Sequence, residues 1–599
     1  MEPEERTQDL YEVLPGYAKP PLVPLPSRSK MANDLGIKPT RLSSWVAEGA
    51  MAATGFRSFH DQLPERIEPL LRRTNLRGPA LFAPVVAATL ALEDDPKSSD
   101  PFTRAATLLL AARDFAADVE QGRLEAERCH GREVEMGQFP NLFSTGIVFE
   151  DGRPRVFKSR NRSRILVALG GRQFVLELGP LEEDASLSRT VRSLRTVVRK
   201  AQESEDPISY PGLLTCAKQR NQHRFFGQIQ DVPCNRESLS ILRHSFLTLC
   251  LELEASPEST ADAALAAHSG NFSNRWFHSS LQLIVFGNSR ACVLCNGTVY
   301  VDGNTMMRGA AEIQKRATAI SSRARPTDSV SETTVVPSFE ATELRWQIPG
   351  EYLEQARRDL DSVVDPQQAT FEIHSVGEEF FLNHRLKPVP TFILALQMTA
   401  RRLTGRHPAI RQFLTMSRYR CMGLLLTRVS TQAVQDFVDY LDRPSQELNR
   451  EHALELLSEA TKSQLEACRR ARRHLPSFTI LRLFMASVSR PRRKLATGVT
   501  AVAGALLRLL GLEKPLPPDQ EIVVSHPAIY PQVPIVGRPG IRLGKIKYFG
   551  LHYQIFPRKI VITLMPATSW GISNRDLIVR LEKDLGRIRN LVAPSGRLS

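Results

Sequence analysis

Between residues 100 and 128 (DPFTRAATLLLAARDFAADVEQGRLEAER) apolar positions recur every three or four residues, the spacing that gathers them on one side of a helix. The period then shortens. Residues 162–178 (RSRILVALGGRQFVLEL) read as two β-rich runs joined by Gly-Gly, a hairpin. Helix is predicted around 236–253, and strands at 281–286 and 291–295. The polar stretch 316–340 (RATAISSRARPTDSVSETTVVPSFE) reads as a loop and a domain boundary. Beyond it the pattern predicts a strand at 369–376, long helices through about 485, strands at 545–549, 551–556 and 559–565, and a final helix over 574–592. No internal repeat shows. Helix and strand mixed through two halves of similar size predict an α/β architecture.

Composition adds bounds. A chain of 599 residues with 42% apolar side chains has the length for two to four folded domains. Its opening, MEPEERTQDLYEVLPGYAKPPLVPLP, is acidic and then proline-rich, without a basic segment leading into an apolar run, which predicts a cytoplasmic protein. Eight scattered cysteines make no disulfide framework. Cys292 and Cys295 have CxxC spacing, but they sit in apolar, strand-like sequence with no second pair, so they read as buried free thiols and no metal site is expected.

Charge widens the question of partners. A net charge of +15 and a pI near 9.6 favour nucleic acid, anionic lipid, phosphorylated cofactors or an acidic protein. Residues 469–494 (RRARRHLPSFTILRLFMASVSRPRRK) hold nine Lys/Arg and no acid, yet no zinc-finger spacing or aromatic RNA-binding signature accompanies them, which disfavours nucleic acid. Residues 495–512 (LATGVTAVAGALLRLLGL) read as a buried helix, an interfacial helix or a span; the glycines and Arg508 argue against spanning, leaving peripheral membrane contact through 490–514 open.

The segment NRWFHSSLQLIVF, residues 274–286, resembles the signature Asn-Arg-Trp-Phe-Asp-Lys-x-Leu-Gln-x-Ile-Val of the choline/carnitine acyltransferase family. GQFPNLFSTGIV, the 162–178 hairpin, PGLLTCAKQRNQHRFF, CNRESLSILRHSFLTLCLE, FILALQMTARRLTGRHPA and KYFGLHYQIFPRKIVITL resemble further family segments in the same order. The resemblance implies two chloramphenicol-acetyltransferase-like lobes with an active-site tunnel between them. Residues 1–85 would form a helical segment packed on the second lobe, 86–345 the first lobe and 346–599 the second.

The family's catalytic turn reads Glu-His-x-x-x-Asp/Glu-Gly, with the histidine as general base. Here Asp302 and Gly303 match its end, but counting back reaches Thr298 or Gly297, and the turn holds no histidine. Where the family places coenzyme-A lysines this chain has VGEEFFLNHRLKPVPTF, in which only Arg385 and Lys387 are basic. Its Thr-Tyr-Glu becomes Ile410-Arg411-Gln412, and its Gly-Arg-Thr-Glu-Thr becomes MGLLL, residues 422–426, which puts Leu424 and Leu426 where hydroxyls stood. Its Ser-Thr-Ser becomes Val523-Val524-Ser525, followed by His526. His278, His384 and His552 read as ordinary histidines.

Two readings stand. In one, the protein handles acyl groups with changed substrates: Asp302, Ser525 and His526 are catalytic, Thr298, Gly303, Arg411, Leu424 and Leu426 line the pocket for an apolar or acyl small molecule, and Arg385 and Lys387 meet the donor. No cofactor is needed; the donor would be acyl-CoA or an acyl group on the phosphopantetheine of an acidic acyl carrier protein, drawn by the basic surface. In the other, the fold is kept as a noncatalytic binding or scaffold protein, and Asp302 is structural, tied to an arginine such as Arg308. Neighbouring strand residues point to opposite faces, so a Ser525 that faces the tunnel sends His526 away unless Pro527 or a bulge turns the chain.

Overall fold

The computed structural model describes residues 6–7, 88–129, 132–134, 136–150, 153–179, 186–296, 301, 303–323, 338–361, 369–415, 424–487, 521–526, 535–537, 548–564 and 570–593. Two mixed sheets organise them. In the first, eight strands run in the order Ala341–Glu343, Arg172–Glu177, Arg164–Leu169, Leu247–Glu252, Leu281–Phe286, Ala291–Cys295, Ala88–Ala91 and Ile535–Gly537. Arg164–Leu169, Leu247–Glu252 and Leu281–Phe286 are mutually parallel neighbours, while the flanking pairs are antiparallel. Both faces of this sheet are covered. Helices Pro101–Glu120 and Gly303–Arg323 pack on one side, and Thr260–Ser269 covers the other.

The helix Pro101–Glu120 shows why its sequence folds as it does. Asp100 caps it by accepting from Thr103 N–H at 2.8 Å, and Pro101 takes the first position, where no donor is needed. Its run of Ala and Leu is buried nearly all round, because it lies between the sheet and the neighbouring helices.

In the second lobe six strands run Ala369–Ile373, Ile560–Leu564, Tyr548–Ile555, Glu521–Ser525, Ala409–Thr415 and Leu424–Arg428. Helices Pro388–Thr404, Gln432–Leu441, Arg450–Ser487 and Asn574–Val592 supply its apolar layer. The lobes are stitched together by Ile535–Gly537, which comes from the second half of the chain and pairs antiparallel with Ala88–Ala91 of the first sheet.

The structure corrects several sequence expectations. The helix expected over 236–253 is a helix, Pro233–Leu242, followed by the buried strand Leu247–Glu252. The loop expected over 316–340 begins later, since Gly303–Arg323 remains helical. The long helices expected through 485 are interrupted by strands Ala409–Thr415 and Leu424–Arg428, and Tyr548–Ile555 is one strand where two were expected. Helix Gly350–Asp361 packs with the first lobe: Tyr352 stacks on Phe225 at 4.6 Å, and Asp359 accepts from Lys218 N–H at 2.9 Å. The changeover between lobes therefore follows residue 361, not 345. Of residues 1–85 only Arg6–Thr7 is described, as a strand beside Arg153–Lys158 of the first lobe. Residues 495–512 lie outside the described residues. No helix of the described residues is long and apolar enough to cross a membrane.

Candidate active site

The signature segment builds one end of the first sheet. Arg275, almost fully buried, pairs with Glu252, and Asn274 Nδ2 donates to Leu251 O at 3.0 Å. Gln282 Oε1 accepts from Trp276 N–H at 2.9 Å, and Asn296 donates to Phe277 O and, at 3.1 Å, to Ser279 O. Asn274, Arg275, Gln282 and Asn296 are all buried, so each bond replaces water that the group has lost. The segment is thus a clamp that fixes the end of strand Ala291–Cys295, which precedes residues 297–302 in the chain. Cys292 and Cys295 lie in that strand as free, buried thiols, with burial pushing each up to about 12.

Thr298 and Asp302 lie outside the described residues. Gly303 opens helix Gly303–Arg323, and a Cβ added there would meet nothing within 4 Å, so the position is open in space. Arg308 pairs with Glu312 at 2.9 Å.

The second sheet carries the other half of the expected site. Ile522, Val524, Leu551, Tyr553, Ile555, Ile560, Ile562 and Leu564 all point into the apolar layer beneath the helices. The alternate positions form the opposite face. There Ser525 is the register partner of His552, His552 of Thr563, and Thr563 of Thr370. Register partners share a face, so these four polar side chains stand in one row across four strands, about 4.8 Å apart. Thr370 and Thr563 join hydroxyls at 3.3 Å. His552 and Thr563 are buried, at 7% and 1% exposure, and Gln554 beside them at 1%. His552 Nε2 meets no hydrogen-bond partner among the described residues. Burial, with a smaller push from His526, lowers its pKa to about 3, so the ring is neutral near pH 7.

His526 is on the wrong side for the catalytic role expected of it. It follows Ile522 and Val524 in the alternation, and its ring lies 4.9 Å from that of Tyr553. Tyr553 in turn stacks on Phe392 at 4.0 Å in the helical layer. No bulge at Pro527 is needed to explain this; ordinary strand alternation carries the imidazole away from Ser525. Burial lowers the pKa of His526 to about 4.

Farther along the same polar face Arg411, in register with Val523, pairs at 2.9 Å with Glu521, which lies about 13 Å down the strand from Ser525 at ~3.3 Å per residue. Arg428 is the register partner of Arg411, and burial and that like charge lower its pKa while Glu521 raises it. Arg428 Nε donates to Ser430 Oγ at 3.1 Å, so two guanidiniums lie near the one carboxylate of Glu521, which pairs with Arg411. Leu424 and Leu426 fall on the edge strand, opposite Thr415 and Phe413. Arg385, at φ +57°, and Lys387, which precedes helix Pro388–Thr404, are exposed, with Leu382 beside them 59% exposed.

The family model described as Choline/Carnitine o-acyltransferase matches residues 75–474. The chain belongs to this family. Relatives include choline O-acetyltransferase of Sus scrofa, 23% identical over 60% of this chain and 56% of that protein. Carnitine O-acetyltransferase of Columba livia is 22% identical, over 60% of this chain and 58% of the relative. The match thus spans a little over half the length of these relatives. Among solved structures, the first condensation domain of the calcium-dependent antibiotic synthetase covers 88% of this chain and 95% of its own at 13% identity and TM-score 0.36. The condensation domain from the Monacolin K polyketide synthase MokA covers 89% and 98% at 12% identity and TM-score 0.35.

The two-lobed α/β architecture is that of the CoA-dependent acyltransferases to which the family belongs. Of the expected site residues, the second sheet carries Arg411 and Ser525 on its polar face and Leu424 and Leu426 on its edge strand, and His526 follows on the apolar side. Sequence reasoning read His552 as an ordinary histidine and did not single out Thr563. The signal was present in the alternation of LHYQI, which puts His552 and Gln554 on one face of a strand whose other face is wholly apolar.

Proposed function

We propose that the protein is an acyl-transferring enzyme whose proton acceptor has moved from the catalytic turn of the first lobe to the second sheet. The observation that carries this reading is His552: a neutral, buried imidazole with an unpartnered Nε2, on the same face as Ser525 and next to it in register. In the reaction, His552 Nε2 accepts the proton of an acceptor hydroxyl while that oxygen attacks the thioester carbonyl. Ser525 donates a hydrogen bond to the oxyanion. Collapse of the tetrahedral adduct breaks the C–S bond, and the leaving thiolate takes the proton back from the imidazolium. A base of pKa about 3 is feeble on its own. The negative charge growing on the adjacent oxygen stabilises the imidazolium in a buried site, which raises its basicity when the proton must move.

Carrier-borne acyl groups fit the donor side better than free coenzyme A. The exposed Arg385, Lys387 and Leu382 offer charge and an apolar contact to a protein partner, and the net charge of +15 favours an acidic one. The alternative is a noncatalytic binding or scaffold protein of the same fold.

Thiol release from octanoyl-CoA and from an octanoyl-loaded acyl carrier protein decides between them. Ser525→Ala and His552→Gln should each slow release by about 100-fold or more, the usual share of a general base or oxyanion donor. His526→Gln should leave the rate within about 3-fold, and carnitine and choline should not act as acceptors. Damage confined to His526→Gln would place the base on the other face. Absence of release from any thioester would establish the noncatalytic reading.

A further inference from the structure

A cavity of about 350 Å³ opens in the first lobe, apart from the polar face of the second sheet. Its walls are the strand Thr145–Glu150 and the helix Pro233–Leu242, and its floor is the middle of the signature segment. The volume is in the range of small-ligand sites.

The floor is aromatic and uncharged. Phe149 and Phe226 stack with centroids 4.8 Å apart, and His278 tilts against them at 5.6 and 4.7 Å. Trp276 meets the same imidazole edge-on at 5.3 Å. His278 Nε2 is hydrogen-bonded to Gln222 Oε1 at 3.0 Å, and burial keeps the ring neutral. Where the resembled signature has an acid, this chain therefore has a neutral aromatic ring.

The rim carries charge. Arg243 is matched by Glu150 at 3.2 Å and lies over the Phe157 ring at 4.6 Å. Arg236 is not matched: its guanidinium donates to the carbonyls of Gln230 and Asp231, at 3.0 and 3.3 Å, and among the described residues no carboxylate pairs with it. A neutral aromatic floor under one uncompensated cation favours an apolar, flat body with a single negative charge. A cationic ligand, which the rings alone would attract, is opposed by Arg236.

We propose that this cavity is a binding site for a small aromatic carboxylate, whose ring system lies on Phe226, Trp276 and His278 and whose carboxylate meets Arg236. It is independent of the reading of Ser525 and His552, and inactive variants at those positions should keep it.

The probe is 2-naphthoate, titrated into the full chain by calorimetry, with the uncharged 2-naphthamide as its isostere. Naphthoate should bind at one site with a dissociation constant at or below about 1 mM, the range expected for a dozen or so non-hydrogen atoms. Arg236→Gln changes an exposed side chain and should weaken naphthoate about 10-fold, the loss of one charge-assisted bond, while leaving naphthamide unchanged. Leu239→Trp, which fills the cavity, should abolish both. No binding of naphthoate at 1 mM, equal binding of acid and amide, or indifference to Arg236→Gln would each overturn the proposal.

Discussion

Three histidines, His278 and His552 buried and His526 half-buried, make the fold sensitive to acid. His278 and His552 have pKa values lowered to about 3 and His526 to about 4, all first by burial, against 6.5 for an exposed ring. Below pH 6.5 the unfolded chain takes up protons at these rings while the folded one does not, so folding loses stability as pH falls toward the folded values. Each ring contributes up to about 1.4 kcal/mol per pH unit. Urea midpoints measured from pH 7 to pH 4 should drop, and His278→Gln, which keeps a partner for Gln222, should make the decline shallower. A variant with the wild-type slope would mean that His278 is not buried neutral. At this scale the sequence was only partly readable. Ser525 could be placed by its motif, and the opposed directions of Ser525 and His526 by alternation alone. His552 could not be paired with Ser525, because nothing local specifies which strands lie side by side in parallel or in what register.

Local chemistry made some elements plain and hid others. The Gly170-Gly171 turn takes φ of +58° and +83°, which only glycine and, at cost, asparagine adopt readily, so the hairpin was legible from two letters. The two glycines differ in their surroundings. A Cβ at Gly170 would meet nothing within 4 Å, whereas one at Gly171 would fall 2.4 Å from the Tyr210 ring. Gly170→Asn gives the favoured Asn-Gly pair and should shift the melting temperature by no more than a degree or so. Gly171→Asn must displace Tyr210 and should lower stability by about 1–3 kcal/mol, readable as a lower urea midpoint. Equal effects would contradict the packing at Tyr210. By contrast, Leu247–Glu252 (LTLCLE) is buried on both faces of a sheet, so its apolar run has no period-two signal and resembles a buried helix segment. The final helix, Asn574–Val592, has an amphipathic stripe and a Ser573 cap, and its limits were legible.

Over the whole molecule, the two lobes are not free neighbours. Ile535–Gly537 leaves the second lobe's half of the chain to close the open edge of the first sheet at Ala88–Ala91. Helix Thr260–Ser269 packs against this strand and also against Ala369–Ile373 of the second sheet. The polar row of Ser525, His552, Thr563 and Thr370 therefore belongs to a sheet held against the first lobe by a strand some ten residues downstream of Ser525 in the chain. Since a sheet edge left unpaired is costly and sticky, the exchanged strand should make the lobes unfold together. Proline removes a ladder donor, and alternation means that one of positions 535 and 536 must donate to Ala88–Ala91. Ile535→Pro and Val536→Pro compared by calorimetry should give one variant close to wild type and one in which the single transition splits in two. On the proposed reaction, thiol release should fall in the split variant although its Ser525 and His552 are intact, because the sheet that carries them is no longer tied to the first lobe. If both proline variants melt in one transition at the wild-type temperature, the exchanged strand does not couple the lobes.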